Sequence, residues 1–177
     1  MEKGYLLNSI SVFKTYQQLA DKALAQISET EKIFWLPNKN SNSIAIIMKH
    51  MAGNMLSRWT DFLTTDGEKE WRNRDTEFEI DTHNKEELLL FWQKGWSVLF
   101  ATLTSLNEND LEKIIFIRNE PHKVYEAINR QIAHYAYHVG QITFLAKMIT
   151  DENWKTLSIA KGKSNEFNQL HHDSKRQ

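Results

Sequence analysis

Tyr5-Leu-Leu-Asn-Ser-Ile-Ser-Val-Phe-Lys-Thr-Tyr-Gln-Gln-Leu-Ala-Asp-Lys-Ala-Leu-Ala-Gln-Ile27 carries apolar side chains at Leu6, Ile10, Phe13, Tyr16, Leu19, Ala20, Ala23, Leu24 and Ile27. Steps of three and four along one stripe are the period of an amphipathic α-helix, not the alternation of a strand. The spacing returns farther along the chain. A second helix, capped by Ser41 or Asn42 and ending near Leu63, lines up Ile44, Ile47, Met48, Met51, Met55, Trp59 and Phe62. A third, over residues 85–106, turns Leu88, Leu89, Trp92, Trp96, Leu99, Phe100 and Leu103 inward, with Gly95 permitting a close helix contact. Pro121 is suited to open a fourth helix running to about Thr150. The chain has 2 prolines and 6 glycines in 177 residues. That scarcity favours long helices, since an interior proline costs ~3 kcal/mol and a glycine ~1 kcal/mol.

The connectors are polar. Trp35-Leu36-Pro37 breaks the first pattern, and residues 38–42 form a turn. Residues 66–84 make a long charged loop after the second helix, either a functional lid or binding surface or a solvated loop pinned by Trp71 and Phe78. Ile114-Ile-Phe-Ile117, bounded by Arg118-Asn-Glu-Pro121, reads as a hairpin strand or an extended connector. Residues 155–177 mix Gly, Ser, Asn and Lys and are expected to be an irregular tail. The expected architecture is all-α: one four-helix-bundle domain over residues 1–177, with a long loop after helix 2 and a short extended segment before helix 4.

Composition narrows the function. Lys and Arg total 22, Asp and Glu 23, and no basic block runs beyond two residues, so nucleic acid is not an expected partner. There is no cysteine, which excludes disulfides, thiolate metal sites and a cysteine nucleophile. Neither a secretory signal nor a membrane span of ~18 apolar residues is visible. The expected location is cytoplasmic.

Histidine carries the chemistry. His134 and His138 stand four apart, so on a helix their imidazoles lie one turn apart on one face and can converge on one ion. A third ligand must come from another element. His50, mid-helix beside Ile47 and Met51, is the best candidate, against the alternative of a core histidine bonded to a carbonyl. His122 precedes His134 by about 18 Å of helix, too far to share an ion. His83 falls in the loop and is expected to be exposed, and His171-His172 lie in the tail. Neither His-Glu-x-x-His nor Glu-x-x-His occurs, so zinc-protease and di-iron readings lack support.

Other polar residues sit one helical turn from these three. Asn54, Arg130, Gln131 and Gln141 are positioned to orient an imidazole or a bound substrate, or to make interhelical hydrogen bonds. Arg72 and Arg74 can grip a carboxylate or phosphate, or pair with Glu70, Asp75 or Glu77. No residue stands out as a general base, so the catalytic residue is unassigned.

Several longer segments, among them residues 41–47, 50–69, 71–75, 127–131 and 134–142 with Leu157-Ser-Ile159, resemble an uncharacterised bacterial branch of the DinB/YfiT-like superfamily of metalloenzymes. The resemblance covers nearly the whole chain. It implies a four-helix bundle holding one divalent ion, nickel or zinc, on His50, His134 and His138. Relatives in other branches include transferases and isomerases that use a low-molecular-weight thiol, so the resemblance suggests thiol-dependent transfer on a small-molecule substrate. Metal-assisted hydrolysis stands behind it, and a non-catalytic metal-stabilised binding module is the alternative. Bundles of this kind often pair through apolar helix faces, which makes a homodimer an expectation.

Overall fold

The computed structural model describes residues 4–79 and 84–174, with the side chains of 171–174 left out. The described chain is mostly helical: α1 (Tyr5–Leu24), α2 (Ile44–Trp59), α3 (Lys85–Ser105), the strands β1 (Ile114–Ile117) and β2 (Glu120–Lys123), α4 (Val124–Thr150) and α5 (Ser164–Ser174). His83 lies outside the described residues, as do the side chains of His171 and His172.

α2 packs on α3 and α1 on α4, while α2 also meets α4 and α1 meets α3. Their apolar stripes share one core, with Phe13, Met48, Met51, Met55, Trp59, Trp92, Trp96, Leu99, Tyr135 and Val139 essentially inaccessible. α2 is the most enclosed element, with only Lys49 and Leu56 short of full burial. Polar groups on such a helix need partners, and this is why its few polar residues deserve scrutiny. No helix among the described residues is long and apolar enough to cross a membrane.

Gly95 sits in the α2–α3 seam. A Cβ at this position would lie 3.0 Å from Ala52 Cα and 3.3 Å from Met55 Sδ, so the missing side chain lets the backbones approach. Gly95→Leu adds a good helix former where no volume exists and is expected to cost about 3 kcal/mol by overpacking. Urea denaturation reads this directly. Wild-type stability in the variant would mean that the seam is not closed here.

Four boundaries differ from the sequence expectation. The α2 cap is Ser43, whose Oγ accepts from Ile46 N at 3.2 Å, instead of Ser41 or Asn42. α2 ends at Trp59 and not near Leu63, because Thr60 is extended and Asp61 turns left-handed at φ 47°. Pro121 does not open α4. It lies in β2 opposite Phe116, and α4 begins at Val124. The cause is a two-residue hairpin turn with Arg118 and Asn119 at φ 55° and 61°, the backbone that antiparallel strands of right-handed twist require. The Asp66 carboxylate fixes that turn by accepting from Arg118 N at 2.9 Å and Asn119 N at 2.8 Å. The tail is not wholly irregular, since α5 forms there. Its first turn is held by Phe167 N donating to Lys163 O at 3.0 Å and by a Lys163–Glu166 ion pair at 2.6 Å. Gly162 at φ 80° and residues 155–163 fit the irregular reading.

Candidate metal centre

Two polar stripes face each other across the α2–α4 contact. On α2, His50, Asn54 and Arg58 follow at steps of four, and all three are buried. On α4, Gln131, His134 and His138 do the same at steps of three and four. Helical period alone lines each set on one face. The packing of α2 against α4 then brings the faces together.

His50, His134 and His138 form a group that could hold a metal ion, their ligand atoms all within 4.8 Å of one another. His134 Nε2 lies 3.4 Å from His50 Nε2 and 3.1 Å from His138 Nε2. Ligand nitrogens about 3.3 Å apart are what a tetrahedral ion with metal–nitrogen bonds of ~2.0–2.1 Å demands. The rings stand close to perpendicular, with interplanar angles of 81°, 69° and 76°. Each imidazole therefore presents its edge to a common point.

The outer nitrogens are already engaged. His50 Nδ1 is 2.9 Å from Glu77 Oε2, and His138 Nδ1 is 2.8 Å from Gln141 Oε1. Both oxygens accept, so Nδ1 carries the proton on each ring and the Nε2 lone pairs point inward. Three nitrogens directed at one point cannot all be satisfied by sharing protons among themselves. A cation bound among them would resolve the conflict.

The electrostatics agree. Burial pushes His134 down to about 3, with help from His138, His50, Arg58 and Arg72. Burial also lowers His138, despite its bond to Gln141. Both rings are neutral at pH 7, the form that ligates. Glu77 is buried, which opposes ionisation, yet hydrogen bonds from His50 and Arg72 and the Arg72 charge hold its carboxyl below the usual range.

These shifts give a sign for acid sensitivity. His134 takes up its proton near pH 6.5 in the unfolded chain but only near 3 in the folded one. Metal-free stability is thus independent of this ring above pH 6.5 and falls as acid drives the unfolded state to bind protons. Glu77 adds a further loss as pH falls through its depressed range. Urea midpoints at pH 7.0 and 4.5 should differ by about 2 kcal/mol of stability. Equal stability at the two values would contradict the buried, neutral cluster.

Glu77 is the residue that sequence reasoning missed. It comes from a short 3₁₀ segment, Asp75–Phe78, that packs on α2. Its approach depends on Gly53, since a Cβ there would sit 2.8 Å from Glu77 Cδ. Arg72 grips Glu77 with two parallel bonds, Nε to Oε1 at 2.8 Å and Nη2 to Oε2 at 2.9 Å. Its remaining nitrogen reaches Glu68 Oε2 at 3.1 Å. Of the two readings open for Arg72, pairing within the chain is the one seen. Phe78 covers the His50 ring at 4.9 Å, and Arg74 lies 4.9 Å over Phe78. Trp71 does not pin the loop, being 61% exposed. The loop is held by Glu77 and by Ser57 Oγ, which donates to Gly67 O at 2.9 Å and accepts from Lys69 N at 3.0 Å.

The other expected residues divide. Gln141 orients His138. Asn54 accepts from Tyr135 Oη at 3.0 Å, and Tyr135 accepts from Trp59 Nε1 at 3.2 Å, so its amide makes an interhelical bond beside the site. Gln131 is buried with no partner for Oε1. Asn54, Gln131, Arg130 and Arg74 all line a cavity of about 200 Å³ that opens beside His50 and His134. His122 sits on β2, outside the cluster.

No curated protein and no solved structure matches the chain at a significant level. A family model does, over residues 1–163, a span that includes all three histidines, Glu77 and the hairpin. The chain therefore belongs to the family described as protein of unknown function DUF1572.

Proposed function

We propose that this protein is a divalent-metal-dependent enzyme whose α1–α4 core is a four-helix bundle of the DinB/YfiT-like type. The convergence of three Nε2 atoms, two of them with their Nδ1 partners already fixed, carries the reading. Three imidazoles are ligands of the kind that suit nickel or zinc, and they would leave a coordination position for a guest. An ion held there by His50, His134 and His138 would keep its full charge and would favour the deprotonated form of a bound water or thiol.

The chain's residues do the rest. Glu77 and Gln141 hold two imidazoles in one tautomer, and Phe78 shields the His50 ring from water. His134 is only half-buried, so the guest enters beside this ring, from the α4 side. With no cysteine in the chain, a nucleophilic sulfur must arrive with a small thiol. Thiol-dependent transfer, the chemistry that the DinB/YfiT-like resemblance suggests, is the leading reaction.

Cobalt-reconstituted protein tests this, with free cysteine and 2-mercaptoethanol as thiol probes. A new near-ultraviolet sulfur-to-cobalt band is expected in wild type and absent in His138→Ala. A cobalt spectrum untouched by either thiol would sink the transferase reading.

One observation favours a second reading. Both Glu77 oxygens are committed to His50 and Arg72, so the carboxylate beside His50 is not free to act as a base. The ion would then serve as a rivet between α2 and α4 in a non-catalytic binding module. That role predicts about 4 kcal/mol of stabilisation at an ion concentration a thousandfold above Kd, without turnover.

A further inference from the structure

Arg58 is the anomaly of α2. It is 4% exposed, yet Nε and Nη1 of its guanidinium have no hydrogen-bond partner. A buried arginine with unmade bonds costs stability and should be eliminated unless something uses it. The site around it is built to hold it still. Gly67 lies flat against the guanidinium, so that a Cβ there would come within 3.1 Å of Arg58 Cδ. The Gly67 backbone is itself tied to Ser57 and to Phe116 O, at 2.9 and 2.8 Å.

Arg58 lines the same cavity as His50 and His134, and it does so in company. Arg74, Arg118 and Arg130 line it too. Acidic groups answer only part of this charge. Glu68 and Glu77 serve Arg72, Glu68 touches Arg118 at 3.4 Å, and Asp66 is occupied by the backbone of Arg118 and Asn119. Among the described residues, no carboxylate lies within ion-pair distance of Arg58, Arg74 or Arg130. Burial, and then the neighbouring charges of Arg130 and Arg72, lower Arg58 from its ordinary value although Tyr135 and Glu68 act the other way. Guanidinium groups crowded into one cavity with two of the three imidazoles, His50 and His134, fit one kind of guest.

We infer that the substrate carries an oxyanionic group, a carboxylate or a phosphoryl group, which is held by Arg58 and Arg130 while the rest of the molecule extends toward the three imidazoles. The inference rests on the proposed metal site for its second half only. Guanidinium donors match planar or tetrahedral oxyanions with charge-assisted hydrogen bonds. A cavity of about 200 Å³ admits a small molecule and no polymer. In this role Arg58 fixes orientation. It would place the reacting end of the guest and set specificity for acids over their neutral esters or amides.

The test uses metal-free full-length protein, stripped on a chelating resin and kept in a neutral amine buffer with chloride as counter-ion, so that anion binding is read apart from metal binding. Inorganic phosphate and acetate are titrated separately by calorimetry. Wild type is expected to bind at least one of them at a single site, and the tighter of the two identifies the class. Arg58→Met keeps the apolar stem and should weaken that binding at least tenfold. Its melting temperature should rise by about 3 °C, because an unpaired buried charge is gone. Arg130→Gln, at an exposed position, should weaken binding severalfold without altering folding. Binding equal in wild type and both variants, or no binding of either anion, overturns the inference. Metal content measured on separate samples keeps the two readings apart. Phosphate or acetate bound by protein that takes up no ion would support the anion site and defeat the metal proposal, and the converse result would do the reverse.

Discussion

Replacing His134 with alanine is expected to lower the affinity for a divalent ion by at least about two orders of magnitude. Loss of a partner that merely orients a ligand already costs 10–100-fold, so loss of the ligand itself should reach the top of that range or beyond. His134 is the central member, its Nε2 within 3.1 and 3.4 Å of the other two. Without it, only two ligands remain, His50 and His138, on separate helices. The variant should still fold, because His134 is only half-buried and its neutral imidazole is a source of acid instability. Competition against a chromophoric chelator measures the affinity. An unchanged value in a folded variant would mean that the ion, if any, sits elsewhere.

The second large effect concerns Glu77. Removing its carboxylate in Glu77→Ala leaves Arg72, with a side chain 3% exposed, short of its bidentate partner and leaves His50 Nδ1 unpaired. Breaking a buried pair by removing one member costs about 3–5 kcal/mol. The same substitution frees the His50 ring to choose its tautomer and should weaken ion binding about 10–100-fold. The two consequences separate in a double variant. Arg72→Met with Glu77→Ala removes the uncompensated charge and should recover much of the stability while leaving ion affinity low. Denaturation and chelator competition on the single and double variants read both quantities. Ion affinity restored together with stability would show that Glu77 acts on the fold alone.

What could be read in advance follows from which interactions are local. The helices were legible because burial of Leu6, Phe13, Met51 or Trp96 repeats with the helical period. His134 and His138 were legible for the same reason, being neighbours on one face. His50 needed the resemblance, since periodicity says which face it occupies but not which helix it meets. Glu77 was hidden. Glu68, Glu70, Asp75 and Glu77 are alike in a charged loop, and only the fold places Glu77 against His50, 27 residues away. Gly53 was a faint sign, a small residue on an otherwise filled helix.

Arg58 is a different case. It stands one turn beyond Asn54 and two beyond His50, so its place in the polar stripe was available from spacing alone. Its missing partners were not, because satisfaction of a guanidinium depends on loops as well as helices. Pro121 misled for a related reason. Proline suits a first helical turn and an edge strand equally, and the left-handed pair Arg118-Asn119 decided between them. α5 was missed because its Phe167 and Leu170 are 41% and 73% exposed, leaving little burial pattern to detect.

Untagged protein purified without nickel resin offers the most direct measurement, with metal content determined by mass spectrometry and ligand number by X-ray absorption. One ion per chain, bound by three nitrogens at about 2.0–2.1 Å and one further oxygen or sulfur ligand, is the expected result. Wild type and His138→Ala carrying the same trace of metal, with no nitrogen shell, would contradict it.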